Sequence, residues 1–323
     1  MSKFFQKSKY YKPQFGGSLL LILVLILGGG VFSGIVAVIA AAISGGLSAG
    51  EVSTEGIMSG KLSLIYFTQM IIPVLFIWLM GHVKSQNPME APVKVNDPHL
   101  GKFNWLTLGI LLMFLTLGMA WVLDPVTSLL PMPDSFKQMY ESISSSPVDT
   151  LLSVAIMAPI FEEFVLRGTI ERGLLTRKGD SRKTAAVAIL WSAFLFGLMH
   201  MNLWQAIPAF IIGCLLGWVY YRSHSIWAVI FMHFVNNFSS IAVFWALPET
   251  DADATSREIF NNLTGSDTFY WILFGSGAVI TIVGIWLLNK YLPKNPQSFK
   301  PKEVFMANRP PFNGQQPFNP EQS

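Results

Sequence analysis

The sequence predicts an all-α fold: a polytopic membrane bundle of about eight transmembrane helices with a polar site inside the membrane. First, 52% of the 323 residues are hydrophobic and only 13% are charged, whereas soluble domains carry about 25% charged residues. Second, apolar runs long enough to cross about 30 Å of hydrocarbon recur along the chain. Third, one of these runs contains two adjacent glutamates and an arginine, which call for a protein or water environment inside the bilayer.

Eight apolar runs predict the transmembrane helices. They lie at residues 18–43, 62–83, 104–123, 150–172, 184–203, 205–221, 225–246 and 268–289. Residues 1–17 form a basic N-terminal tail before this helical domain, which extends over residues 18–290. Residues 291–323 are rich in Pro, Gln and Asn, a composition typical of a disordered tail.

The distribution of lysine and arginine predicts that both termini are cytoplasmic. Apart from Arg167, which lies within a run, only Lys61, Lys137 and Arg257 of the 22 lysine and arginine residues fall on the side opposite the N-terminus. The positive-inside rule assigns the basic side to the cytoplasm. The net charge of +3 then follows from topology and gives no reason to expect nucleic-acid binding. We expect an integral protein of the plasma membrane of a bacterium.

Residues 1–42 also fit a second pattern, that of a cleaved signal peptide. A basic start, the apolar run Leu19–Leu27 and the small residues Ala40 and Ala42 are typical of such a segment. The apolar stretch continues well beyond Leu27, however, which favours a membrane span over a short signal core.

The glycine pairs and the single cysteine indicate how the helices pack, and they give no indication of a catalytic site. Two glycine pairs at four-residue spacing, Gly30 with Gly34 and Gly213 with Gly217, predict close helix contacts. Cys214 lies in the sixth run and has no second cysteine to pair with, so an intramolecular disulfide is excluded.

The fourth run contains Glu162, Glu163 and Arg167. Each charge would cost about 2.5 to 3.5 kcal/mol at the centre of a lipid-facing helix, so these side chains should face protein or water. Glu163 and Arg167 are four residues apart in the favourable order for a helical ion pair. Glu162 lies about 100° around the helix from Glu163 and is left for another role. The alternative is that both glutamates bridge to basic groups on neighbouring helices without catalysis.

Two of the five histidines, His200 and His233, fall within predicted spans. Asn237 follows His233 by four residues and shares its helix face. At a rise of about 1.5 Å per residue, these side chains and Glu162 lie about 12 to 26 Å from the cytoplasmic ends of their helices. We therefore expect them to converge near the middle of the bilayer.

Two prolines within the runs, Pro159 and Pro208, each remove a backbone donor and loosen the helix around them. In membranes such breaks are tolerated beside cavities. A cavity near Glu162 is what water would need to reach this carboxylate.

Three short motifs on successive runs resemble those of a known family. In chain order they are Glu162-Glu163-x-x-x-Arg167, Phe196-x-x-x-His200 and His233-x-x-x-Asn237. Together they resemble the motifs of the CAAX protease and bacteriocin-processing (CPBP, also called Abi) intramembrane proteases. The resemblance covers about residues 150–240 and implies hydrolysis of a peptide bond in a membrane-embedded, membrane-associated or lipidated polypeptide.

The resemblance also implies roles for individual residues. Glu162, with His200, would activate a water molecule for attack on the peptide carbonyl. His233 and Asn237 would stabilise the developing oxyanion, a contribution of about 2.7 to 4 kcal/mol for each donor. The remaining motif residues would hold this geometry; they are Glu163, Arg167 and Phe196.

The sequence leaves the metal requirement open between two mechanisms. If zinc is used, we expect His200, His233 and Glu162 as its ligands, and Asn237 is a further residue that could ligate it. A His-Glu-x-x-His helix is absent from the sequence, and we prefer a glutamate-dependent mechanism that requires no cofactor. A serine or cysteine protease is not indicated, because no motif links Cys214 or an intramembrane serine to either histidine.

Two other classes of protein remain as alternatives. A membrane scaffold or immunity protein would keep the same fold without cleaving a substrate. A proton-coupled transporter would use Glu162 and His233 as relays, but transporters of this kind usually show inverted repeats, and the sequence has no such internal symmetry.

The predicted topology can be tested with reporters fused after Ser323. Green fluorescent protein, which folds in the cytoplasm, is expected to fluoresce there, and alkaline phosphatase, which folds only outside, is expected to be inactive. The reverse pattern would contradict a cytoplasmic C-terminus.

Overall fold

A computed structural model describes residues 3–43, 61–134, 146–176, 182–246, 254–294 and 299, and these residues contain helices and no β-strand. The helices are α1 (Lys3–Ser8), α2 (Phe15–Ile43), α3 (Leu62–Ser85), α4 (Trp105–Thr127), α5 (147–175), α6 (Arg182–Met199), α7 (Leu203–Ser223), α8 (Ile226–Ala246), α9 (Ser256–Thr264) and α10 (Thr268–Tyr291). Within the described ranges, seven helices are long and apolar enough to cross a membrane. The predicted all-α membrane bundle is confirmed.

Helix α5 occupies the fourth predicted run and differs from the other long helices in its charge. It contains two π-helical segments, Leu151–Met157 and Leu166–Glu171, within otherwise α-helical backbone. Its second half carries buried charged side chains, namely Glu162, Glu163, Arg167, Glu171 and Arg172. Because these groups are covered by protein, α5 can lie among the apolar helices without exposing charge to lipid. The eight predicted runs thus correspond to seven apolar helices and α5.

One of the two predicted glycine contacts is present, and the other prediction was wrong. A Cβ added at Gly213 would lie 3.1 Å from the Phe196 ring, so α7 packs closely on α6 at this point. Among the described residues, a Cβ at Gly30 or Gly34 would meet nothing within 4 Å. Gly29 instead faces the backbone of Gln69 on α3, because the contact face of α2 is set by its neighbour rather than by the spacing of its glycines.

Arg172 fastens the N-terminal segment to the end of α5. Its guanidinium is fully buried and donates to the carbonyl oxygens of Ser8 (3.0 Å), Lys9 (3.1 Å), Tyr11 (2.8 Å) and Val93 (2.8 Å). The region predicted as an N-terminal tail is therefore packed against the bundle over these residues. The tail predicted to be disordered, residues 291–323, lies outside the described residues beyond residue 294, apart from residue 299.

The turn between α7 and α8 is held by a buried histidine. His224 adopts a left-handed backbone conformation (φ 47°), and its Nε2 donates to the Lys94 carbonyl at 2.9 Å. Burial lowers the pKa of His224 to about 4, so the ring is neutral and can make this bond as a single donor. The backbone N–H groups of Asp97 and His99 donate to the carbonyls of His224 and Ser223. These contacts fix the start of α8, which carries two of the predicted site residues.

Candidate active site

The centre of the site is an ion pair on α5. Arg167 Nη1 donates to Glu163 Oε1 at 2.9 Å, and both side chains are fully buried. The pair predicted from their four-residue spacing is therefore present. Arg167 Nη2 donates to the Gly213 carbonyl on α7 at 2.9 Å, and the guanidinium carbon lies 4.9 Å from the centre of the Phe196 ring. The charge of Arg167 is thus matched by a carboxylate, a carbonyl and an aromatic face.

His233 on α8 lies between the two adjacent glutamates. Its Nδ1 is 2.9 Å from Glu163 Oε1, and its Nε2 is 3.7 Å from Glu162 Oε2. The first distance is a hydrogen bond, whereas the second is beyond direct hydrogen-bonding range. Glu163 is therefore bound by both Arg167 and His233 through one oxygen. Glu162 retains an oxygen, Oε2, that faces His233 without a direct bond to it.

His200 contacts this cluster through Phe196 and not through Glu162. Its Nδ1 is hydrogen-bonded to the Phe196 carbonyl at 2.8 Å, and the two rings meet edge to face with centres 5.2 Å apart. The Phe196 ring also meets the His233 ring edge to face, with centres 5.4 Å apart. Within the described structure, His200 forms neither a hydrogen bond nor an ion pair with Glu162. The predicted direct cooperation of these two residues would require a movement of the His200 side chain.

Asn237 binds the backbone of α5. Its Nδ2 donates to the Val154 carbonyl at 2.9 Å. At the end of the π-helical segment Leu151–Met157, the N–H of Ala158 donates to the carbonyl of Ser153, five residues earlier. The same pattern would assign the Val154 carbonyl to the N–H of residue 159, which is a proline and has none. Asn237 supplies the donor that Pro159 lacks, so the asparagine side chain satisfies the carbonyl that the proline leaves without an N–H partner.

Two residues of this polar cluster escaped the sequence-based reasoning. Tyr66 on α3 donates its hydroxyl to Glu162 Oε1 at 2.7 Å. Glu171 is fully buried, and neither of its carboxylate oxygens has a hydrogen-bond partner among the described residues. Its position four residues after Arg167 was a local signal that could have identified Glu171. A tyrosine in an apolar helix gives no indication of its partner.

The side chains do not fit the predicted zinc site in the conformation described. His233 directs one ring nitrogen to Glu163 and the other towards Glu162, while His200 is turned to its own helix. No group of three or more His, Cys, Asp and Glu side chains in the described part of the chain is placed to hold a metal ion. We therefore derive no step through zinc, and the preference for a metal-independent mechanism stays a prediction.

Residues 144–239 match the family model described as Rce1-like, type II CAAX prenyl endopeptidase. The resemblance to CAAX-type intramembrane proteases is confirmed. The matched range, hereafter the Rce1-like segment, includes all three motifs, from Glu162 to Asn237, and less than a third of the chain. Neither curated proteins nor solved structures yielded a match. Tyr66 lies outside the Rce1-like segment, although it contacts Glu162 within it.

The two glutamates are expected to respond differently to substitution. Glu163→Gln or Arg167→Ala should lower the free energy of unfolding by about 3 to 5 kcal/mol, because each strands a buried charge. Glu162→Gln should unfold close to the wild-type temperature, since an amide oxygen still accepts from Tyr66. Thermal unfolding of the purified variants in one detergent measures the difference. An equal loss in all three would contradict this division of roles.

The link between Pro159 and Asn237 can be tested with a double-mutant cycle. Asn237→Ala should lower the free energy of unfolding by about 1 to 3 kcal/mol, because the Val154 carbonyl loses its donor. Pro159→Ala restores an N–H at position 159, so the same asparagine substitution should be less destabilising in that background. Identical losses in the two backgrounds would show that the carbonyl is not the reason for the asparagine.

Proposed function

We propose that this protein is an intramembrane endopeptidase of the CAAX-protease-like type, hydrolysing a peptide bond of a membrane-associated or lipidated polypeptide. The observation that carries the proposal is the contrast between the two buried glutamates. Glu163 is bound to Arg167 and His233, whereas in the described part of the chain Oε2 of Glu162 lies 3.7 Å from His233 Nε2, beyond direct hydrogen-bonding range. A carboxylate so arranged can accept a proton from water. The match to the Rce1-like family supports this reaction class.

In the proposed reaction, Glu162 Oε2 takes a proton from a water molecule whose oxygen attacks the peptide carbonyl carbon. The carbonyl π electrons move to oxygen, and the resulting oxyanion accepts a hydrogen bond from His233 Nε2, which requires a proton on Nε2 while Nδ1 stays bonded to the Glu163 carboxylate. When the tetrahedral intermediate collapses, the C–N bond breaks and Glu162 returns the proton to the leaving nitrogen. The products are a carboxylic acid and an amine, and the glutamate is restored.

Asn237 is the second oxyanion donor suggested by the family resemblance. Its amide donates to the Val154 carbonyl in the structure described, so donation to an oxyanion requires this bond to be exchanged when substrate binds. The π-helical segment around Val154 favours such an exchange, because its backbone hydrogen bonding already departs from the α-helical pattern. His200 would join Glu162 in the same rearrangement by rotating away from Phe196.

The structure contains a partly open, apolar cavity of about 220 Å³. It is formed by α5 and α8, the two helices that carry Glu162 and His233. Its walls are Ala155, Ile156, Pro159, Ile160, Trp227, Ile230, Phe231 and Phe234. We propose that this cavity accepts an apolar part of the substrate, which fits a polypeptide that reaches the enzyme from the lipid bilayer.

Cleavage should be measured with purified protein in lipid nanodiscs and internally quenched peptides. The set comprises a peptide ending in a farnesylated Cys-aliphatic-aliphatic-X sequence, the same peptide without lipid, and apolar transmembrane peptides. Wild-type protein is expected to cleave at least one, with one ¹⁸O atom from labelled water in the new carboxylate. Glu162→Gln should reduce turnover by about 1000-fold or more. Binding of these peptides without cleavage would favour the scaffold alternative.

The metal-independent mechanism predicts that activity survives exhaustive chelation. Metal content and cleavage rate should be measured on the same chelated sample. Under our proposal, protein without bound metal turns over at the wild-type rate. If chelation removes stoichiometric zinc and abolishes cleavage, and zinc alone restores it, the mechanism is wrong and His200 and His233 act as ligands.

A further inference from the structure

The proposed general base is contacted by a helix outside the Rce1-like segment. Tyr66, on α3, donates its hydroxyl to Glu162 Oε1 at 2.7 Å. A hydrogen bond from a hydroxyl to an ionised carboxylate is stronger and shorter than one between neutral groups. The same carboxylate has its other oxygen, Oε2, on the side of His233. Glu162 therefore lies between two groups on different helices, each facing a different oxygen.

The position of Tyr66 is fixed by a cap at the start of α3. Asp149, at the start of α5, accepts hydrogen bonds from the backbone N–H groups of Leu62 at 2.6 Å and Ser63 at 3.1 Å. A carboxylate at this point satisfies N-terminal donors and interacts favourably with the helix dipole. Tyr66 follows one helical turn later. The first turn of α3 is thus tied to α5 at Asp149 and again at Glu162.

Aromatic packing reinforces the same interface. The rings of Phe67 on α3 and Phe161 on α5 meet edge to face with centres 6.1 Å apart. Each ring belongs to the residue next to a member of the Tyr66–Glu162 hydrogen bond. Helices α3 and α5 are therefore in contact on both sides of this bond.

We propose that Tyr66 is a positioning residue that orients the carboxylate of Glu162 for catalysis, a role that rests on the function proposed above. By binding Oε1, it stops rotation of the carboxylate and keeps Oε2 directed to the side of His233, where water and the peptide carbonyl would meet. Fixing a reacting group in its productive geometry accelerates a reaction without tightening substrate binding. The working site therefore extends beyond residues 144–239 to a helix that the family match does not include.

The kinetic test compares Tyr66→Phe with Tyr270→Phe. Tyr270 makes a similar bond, donating to Asp124 Oδ2 at 2.9 Å, but this pair joins α10 to α4. With a quenched peptide that wild-type protein cleaves, Tyr66→Phe should lower kcat by about 10- to 100-fold, the effect of losing a hydrogen bond to a charged group. KM should stay within about twofold. Tyr270→Phe should leave both constants within about twofold of wild type.

Three kinetic results would overturn the proposal. One is an unchanged kcat in Tyr66→Phe. Another is a raised KM with kcat unchanged, which would assign Tyr66 to substrate binding. The third is an equal fall of kcat in both tyrosine variants, which would reflect general loosening of the bundle.

A thermodynamic test separates this proposal from the proposed function. Thermal unfolding of Tyr66→Phe, Glu162→Ala and the double variant in one detergent should reveal a coupling of about 10-fold in the unfolding equilibrium constant. Effects that simply add would refute the contact, whatever the enzyme does. If wild-type protein cleaves none of the peptides, the proposed function fails whether or not the coupling is found. Coupling in the absence of any cleavage leaves Tyr66 without a catalytic role, and the positioning proposal then fails as well.

Discussion

The polar site depends on compensation of the Arg167 charge inside the bundle. A buried guanidinium must find partners within the protein, and Arg167 finds Glu163 on its own helix, a carbonyl on α7 and the face of Phe196. Glu163 is bound by this guanidinium and binds His233 as well, contacts that fit the structural role proposed for it. The adjacent carboxylate, Glu162, lies beside the same imidazole, and its Oε2 is the atom that we propose accepts the proton from water.

A second constraint comes from the irregular backbone of α5. A proline inside a membrane helix leaves carbonyl groups that no water can satisfy. Because the segment before Pro159 is π-helical, the carbonyl that lacks a backbone donor is that of Val154. Asn237 on α8 donates a hydrogen bond to this carbonyl. Hydrogen bonds of His233 and Asn237, which are one turn apart on α8, therefore join α8 to Glu163 and Val154 of α5. The irregular backbone before Pro159 thus helps to position α5, which carries the proposed base, against α8, which carries the proposed oxyanion donors.

Much of this arrangement was predictable from local patterns in the sequence. Apolar runs identified the long helices, and four-residue spacing identified the Glu163–Arg167 pair. Contacts of residues outside the three motifs were harder to predict, because spacing along one helix does not show which faces of two helices meet. Tyr66 was missed for this reason, and Gly30 and Gly34 were assigned a contact that Gly29 makes. The orientation of His200 depends on a carbonyl of its own helix, which spacing alone does not reveal.

The contacts of Arg172 have a consequence for the order in which the protein is assembled. Ser8 and Arg172 are bonded although they are 164 residues apart in the chain. At a synthesis rate of about 5 to 20 residues per second, roughly 10 to 30 s separate their emergence from the ribosome. The N-terminal segment therefore cannot complete its contacts with α5 until four helices have been made. Helix α2 is therefore inserted into the membrane before these contacts exist, on the strength of its apolar sequence. The hydrogen bonds between Arg172 and the N-terminal segment form late in biogenesis.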